Sequence, residues 1–339
     1  MDLDEASAGD IVSLAGIEDV NVGDTICDPA RPEPLPATAI DEPTLSMLFM
    51  PNNSPFAGRE GKWVTSRNLR ERLAREVLSN VSLRVEETDS PDLFKVSGRG
   101  VLHLSILIET MRREGYELQV SRPEVITKTE NDVLLEPIEE VVAEVPEEAS
   151  GVVIEKLNAR RGRMMNLEKE AEGRVRLFYE VPSRGLIGLR TEFLTDTRGE
   201  GVIYSVFKAY EPWKGEIGQR TYGVQICDRQ GDTVTYGLYG LQERGPLFIG
   251  AGVPVYEGQV IGIHTKGSDL NVNPTRTKKL TNMRASGSDE ALRLTPPREM
   301  TLENAIEFVA EDELVEVTPK SIRLRKKTLT ESERKRARS

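Results

Sequence analysis

The feature that most restricts how this chain can fold is a repeated order of elements. Residues 44–50 read as a strand. Thr65 or Ser66 then stands where a helix N-cap is needed, and Leu69, Leu73 and Val77 recur behind it at four-residue spacing. Residues 81–87 and 93–96 alternate apolar and polar side chains around the Ser90-Pro91-Asp92 turn. A helix over 101–114 closes at Gly115, and 116–120 alternates again. The same order returns. A strand over 134–145, interrupted at Pro137, precedes a helix over 147–159 that carries acidic residues at its positive end. A hairpin of 164–167 and 175–181, a helix over 186–195 and a strand over 202–209 complete it. The pattern predicts two successive split βαβ units, each an antiparallel sheet with two helices on one face.

The flanks differ. In the first forty residues only 11–14 and 25–27 read as strands, and Pro29, Pro32, Pro34 and Pro36 break any regular structure beyond them. So few strands cannot build a sheet core, so 1–40 is expected to end a β-domain that begins upstream, with Met1 the start of a fragment. Beyond Trp213 strands are expected over 223–227, 233–240, 246–249 and 259–264. A polar segment over 264–290, a short helix over 301–310 and strands over 314–317 and 321–325 come next. The expected class is α+β and multidomain: two βαββαβ domains, then a β-rich domain with a short helix.

Several chemistries are excluded or disfavoured. No apolar run of about 18 residues exists, so no spanning helix is expected. The acidic start lacks a signal region, which makes the cytoplasm the default. Cys27 and Cys227 cannot form a disulfide framework, and with only His103 and His264 a zinc site is not expected. There is no phosphate loop (the glycines around Arg59 to Lys62 have the wrong spacing), no H-E-x-x-H and no G-x-S-x-G. His103 sits on an apolar helix and Cys227 in a strand pattern, both read as packed residues. No catalytic residue is assigned.

Charge is more informative. The net charge of −11 divides unevenly: residues 1–150 carry 14 Lys and Arg against 30 Asp and Glu, and residues 151–339 carry 31 against 26. The segment from His264 to Ser288 is too long and polar for a plain connector. Lys266, Arg276, Lys278, Lys279 and Arg284 there face only Asp269, and Asn271, Asn273, Asn282 and Ser286 add short hydrogen-bonding groups. Cations with amides and hydroxyls suit a phosphodiester backbone, since charge supplies affinity and short donors fix register. Arg160, Arg161 and Arg163 form a second cluster, and a third runs through Arg323, Arg325, Lys326 and Lys327 into the terminus. No aromatic ladder interleaves with these charges, so folded RNA fits better than a stacked single strand.

Five segments carry a family resemblance: Ala8-Gly-Asp-Ile-Val12 with Gly23-Asp-Thr-Ile-Cys-Asp-Pro29, Phe49-Met-Pro-Asn-Asn-Ser-Pro-Phe-Ala-Gly58, Gly98-Arg-Gly-Val-Leu-His-Leu104, Val181-Pro-Ser-Arg-Gly-Leu-Ile-Gly188 and Lys278-Lys-Leu-Thr-Asn-Met-Arg-Ala-Ser-Gly287. The chain resembles the C-terminal part of the TypA/BipA translational GTPases, relatives of elongation factor G. The resemblance implies that 1–40 ends a β-barrel domain. It implies that 41–125 and 126–212 are ferredoxin-like domains similar to domains III and V of elongation factor G, and that 213–339 is the family's own C-terminal domain. GTP and Mg would belong to a preceding nucleotide-binding domain, so no cofactor and no enzymatic activity are expected of this chain. The implied partners are the ribosome, large-subunit ribosomal RNA and the transfer-RNA acceptor arm, engaged by a cytoplasmic monomer acting in translation or ribosome assembly under stress. The alternative is a regulatory module that binds a small metabolite at a sheet edge.

Overall fold

The computed structural model describes residues 5–17, 20, 23–36, 42–170, 173–218, 220, 222–277 and 292–338. The first repeat comprises β1 (Leu45–Pro51), α1 (Ser66–Ser79), β2 (Arg84–Glu87), β3 (Phe94–Gly98), α2 (Val101–Arg113) and β4 (Leu118–Val120). The Thr65 side chain accepts from the Asn68 amide and so caps α1. Leu104, Leu107, Ile108 and Met111 recur at helical spacing on α2 and are buried against the sheet. Gly115, with φ of +94°, follows the helix in the left-handed conformation a C-terminal stop favours.

Two short strands, β5 (Glu124–Val125) and β6 (Lys128–Glu130), lead into the second repeat. It comprises β7 (Val133–Pro146), α3 (Glu147–Ala159), β8 (Arg163–Lys169), β9 (Arg174–Pro182), α4 (Ser183–Leu186), α5 (Leu189–Asp196) and β10 (Val202–Pro212), with sheet order β10-β7-β9-β8. Val141, Ala143 and Val145 of β7 meet Val153 and Leu157 of α3 in a core of their own. The helix expected over 186–195 is two helices. Gly188, with φ of +74°, stands at the break and is the N-cap of α5.

The last segment holds β11 (Gly223–Cys227), β12 (Gly231–Asp232), α6 (Thr235–Gln242), β13 (Pro254–Val255), β14 (Gln259–His264), β15 (Leu270–Val272), α7 (Leu302–Phe308), β16 (Glu313–Val317), β17 (Ile322–Lys326) and α8 (Glu331–Arg338). Three expectations are corrected here. The strand expected over 233–240 gives way to helix α6 from Thr235, whose Gly237 packs on the turn at Pro274: a Cβ there would lie 2.4 Å from the Pro274 carbonyl oxygen. Residues 246–249 form no strand; Leu247 makes only an isolated bridge to Gly262. Residues 11–14 and 25–27 are not strands either, and Ile11, Leu14 and Ile26 lie exposed with no partner strand among the described residues.

The sheet of this last segment continues that of the first repeat. β16 pairs with β4, Val315 opposite Val120, giving the order β15-β11-β14-β17-β16-β4-β1-β3-β2. One core follows the joined sheet, from Phe49 and Ile108 through Val315 to Val224 and Ile306. Where the sheets join, Asn52 donates to Glu117 at 2.9 Å and to Glu316 at 3.0 Å, while Gln119 donates to the Asn52 oxygen at 2.7 Å. The segment from Phe49 to Gly58 is therefore a polar clasp between two parts of the chain.

Candidate RNA-binding surface

The polar segment picked out by charge begins on firm ground. The Gly223 amide donates to the Lys266 carbonyl at 2.7 Å, and His264 Nδ1 lies 2.5 Å from the Ser268 carbonyl oxygen. β15 runs parallel to β11, with Asn271 opposite Ile226. Asn273 accepts from the Thr275 amide at 3.0 Å and from its hydroxyl at 2.9 Å, closing a turn against α6. The Gln242 side chain, at the end of α6, donates to the Arg293 carbonyl at 3.2 Å and accepts from the Thr295 amide at 2.9 Å. Both ends of the segment are thus pinned beside one helix. Lys278, Lys279, Asn282, Arg284 and Ser286 lie outside the described residues.

Lys266 and Arg276 are exposed on this base, and so are Arg244, Arg293 and Arg298. None of the five makes an ion pair among the described residues. The sequence reading missed the last three. Arg244 follows α6, which read as a strand, and Arg293 and Arg298 lie past the segment in linear order yet return to its root. The Thr265 amide and hydroxyl, beside Lys266, both bond the Arg244 carbonyl, which places these two cations on one rim. A cation left in water can exchange counterions for phosphate at low cost, the condition for backbone binding.

Other cations singled out by charge have partners within the chain. Arg160 donates to the Gly185 carbonyl at 2.8 Å and the Ile187 carbonyl at 2.9 Å, and pairs with Glu192. Arg161 donates to the Glu216 carbonyl, and Arg163 pairs with Glu180 at 2.5 Å while remaining largely in solvent. Asn271 accepts from Arg334 at 2.7 Å. The run at 323–326 is more deeply committed. Arg323 bonds Glu60 at 2.6 Å and Glu316 at 2.9 Å. Lys326, 1% exposed, lies within 2.9 Å of Asp269, Asp312 and Glu313. Burial alone would lower the Lys326 ammonium, but its carboxylate partners hold its pKa above the ordinary value. These residues hold strands together.

The segment from Val181 to Gly188 is likewise structural. Arg184 grips Glu136 with two nitrogens, at 2.5 and 3.1 Å, and lies 3.7 Å from the centre of the Trp213 ring. Gly185 lets this turn reach the Arg160 carbonyl, 2.8 Å from where a Cβ would stand. Among the described residues no group of histidines, cysteines and carboxylates could hold a metal ion.

The TypA/BipA C-terminal domain profile matches residues 222–331, and the elongation factor G C-terminus profile matches 133–221. The boundary between the two matches falls just before β11. The large ribosomal subunit assembly factor BipA of Salmonella typhimurium is 55% identical over 338 residues, which is 99% of this chain. The chain belongs to the TypA/BipA family. The BipA factors of Haemophilus influenzae and Bacillus subtilis are 56% and 51% identical over 98% and 99% of the chain. The chain spans 54–56% of the length of these relatives. As a TypA/BipA chain it combines an elongation-factor-G-like ferredoxin unit with the family's β-rich domain, and the five exposed cations at the root of the polar segment all lie on the latter.

Proposed function

We propose that this chain is the ribosome-binding portion of a large-subunit assembly factor, and that it grips ribosomal RNA through the polar segment whose two ends are held beside α6. The observation that carries the reading is the contrast in charge: the cations at the root are exposed and unpaired among the described residues, in a chain with a net charge of −11. The curated relatives are named as large-subunit assembly factors, which supports the same partner. Lys278, Lys279 and Arg284 add further cations to the same segment of the sequence, and a transfer-RNA acceptor arm is its second ligand. GTP hydrolysis belongs to the longer parent protein, because this chain has no phosphate loop. The protein works in the cytoplasm, where ribosomes are. Residues 41–125, 126–212 and 213–339 act as its domains.

Cosedimentation of the chain with large ribosomal subunits tests this. Replacing Lys278, Lys279 and Arg284 by Ala is expected to weaken binding about 10-fold or more, at roughly 0.5–1 kcal/mol for each phosphate pairing removed. Unchanged binding by that variant would remove the polar segment from the mechanism. A metabolite that stabilised the chain, with no ribosome affinity at all, would favour the regulatory-module reading instead.

A further inference from the structure

A cleft of about 940 Å³ opens where the two βαββαβ repeats face α7. Two helices begin on its wall, α2 behind Gly100 and α5 behind Gly188, and no side chain caps either one. The first-turn amides of both helices carry the positive end of the helix dipole into this space. Arg99 and Arg190, immediately beside those amides, are exposed and make no ion pair among the described residues.

A second observation points to the same place. Ser105 and Ser183 both line the cleft and are each 2% exposed, yet neither hydroxyl has a hydrogen-bond partner among the described residues. A buried hydroxyl without a partner costs about 1–3 kcal/mol, so two among the lining residues of one cleft are unusual unless something else bonds them. Leu186 and Ile203, together with Tyr204 and Phe207 of β10, give the cleft an apolar stretch. Tyr204 is 52% exposed there, although aromatic rings generally favour burial.

The acidic residues of the cleft limit the ligand. Glu42 is paired with Lys128, and Glu307 accepts from the Thr191 hydroxyl at 2.6 Å. Glu139 and Glu303 have no cationic partner among the described residues. They would repel a polyphosphate or an RNA backbone while leaving room for one acid group.

We propose that this cleft binds a small amphipathic acid, its single anionic group held between Arg99, Arg190 and the two helix ends, and its apolar body lying along β10. The site is independent of the RNA-binding reading, since it lies on other elements and would stand if ribosome binding failed.

Anilinonaphthalene sulfonate, an aromatic body with one acid group, is the probe, used with the full 339-residue chain. It should bind at one site, shifting amide resonances at 99–102 and 188–191. Arg99→Gln with Arg190→Gln, both at exposed positions, should raise its Kd about 10-fold while leaving the unfolding midpoint in place. Ser105→Ala should weaken binding without loss of stability, because it removes an unbonded hydroxyl; a purely structural serine would lower the midpoint instead. Neutral phenylnaphthylamine should bind more weakly than the sulfonate, and pyrophosphate should not displace it. Equal affinity of the arginine variant, equal affinity of the neutral probe, displacement by pyrophosphate or resonance shifts elsewhere would each overturn the proposal.

Discussion

Two basic regions of the C-terminal segment read alike in the sequence and behave oppositely in the fold. Around the two ends of the polar segment 264–290, Arg244, Lys266, Arg276, Arg293 and Arg298 stand in solvent with no ion pair among the described residues. In β17, Arg323 and Lys326 are enclosed by Glu60, Glu316, Asp269, Asp312 and Glu313. Desolvation separates the two. A cation already taken out of water and paired cannot be lent to a phosphate without losing its internal partners, whereas a hydrated one exchanges small ions for RNA. Charge density along a sequence does not separate these cases; strand position does, because β17 lies between β14 and β16 and the root residues lie beyond the sheet.

The largest effect that could break the comparison is on stability. Lys326→Ala takes one buried cation from Asp269 and Glu313, while Arg220 still pairs with Glu313 at 2.9 Å, and should cost about 1–3 kcal/mol. Urea unfolding checks this, and a loss below about 1 kcal/mol, the scale of an exposed pair, would mean that β17 is no more committed than the root. Next in size, Arg244→Ala, Arg276→Ala and Arg298→Ala combined should lower affinity for large ribosomal subunits about 10-fold with an unchanged unfolding midpoint.

Of the two basic regions, acid should act on the buried one. Burial by itself would raise the Asp269 carboxyl, but its bond from Lys326 keeps the pKa below the usual carboxylate range. Glu60 is held low against its own burial by Thr318 and Arg323. A carboxylate depressed in the folded state contributes its full stability above the unfolded pKa of about 4, and loses it as pH falls through the folded value. Asp269→Asn should therefore be less stable than wild type at neutral pH, and the gap should narrow in thermal melts below about pH 4. A gap constant with pH would contradict the pairing. The smallest effect belongs to Arg163, whose side chain is 68% exposed beside Glu180. Arg163→Ala should change stability by no more than about 0.5 kcal/mol.

Much of the fold was legible in the sequence, because the two repeats are built from local signals. The helix over 147–159 and the strand over 223–227 agree with α3 and β11 to the residue, and of the two caps offered, Thr65 or Ser66, it is Thr65 that caps α1. The parts that could not be read depended on distant partners. The run of Thr and Tyr around α6 favours a strand, yet it folds as a helix whose Gly237 lies close against Pro274. The continuation of one sheet through β4 and β16 joins residues far apart in sequence, with no local mark of it. At the candidate site, Lys266 and Arg276 were found by their company in the chain. Arg244, Arg293 and Arg298 join them only through folding, the first two by way of the Thr265 and Gln242 hydrogen bonds. Arg160 lay equally open to an RNA-contact reading until its guanidinium met the Gly185 and Ile187 carbonyls.

The salt dependence of large-subunit binding tests the difference between hydrated and committed cations most directly. Each phosphate contact adds about 0.7–0.9 to the slope of log K against log salt. Removing Arg244, Arg276 and Arg298 should flatten that slope by roughly 2–3, one step for each cation removed. An undiminished slope in the triple variant would place the RNA contacts elsewhere on the chain.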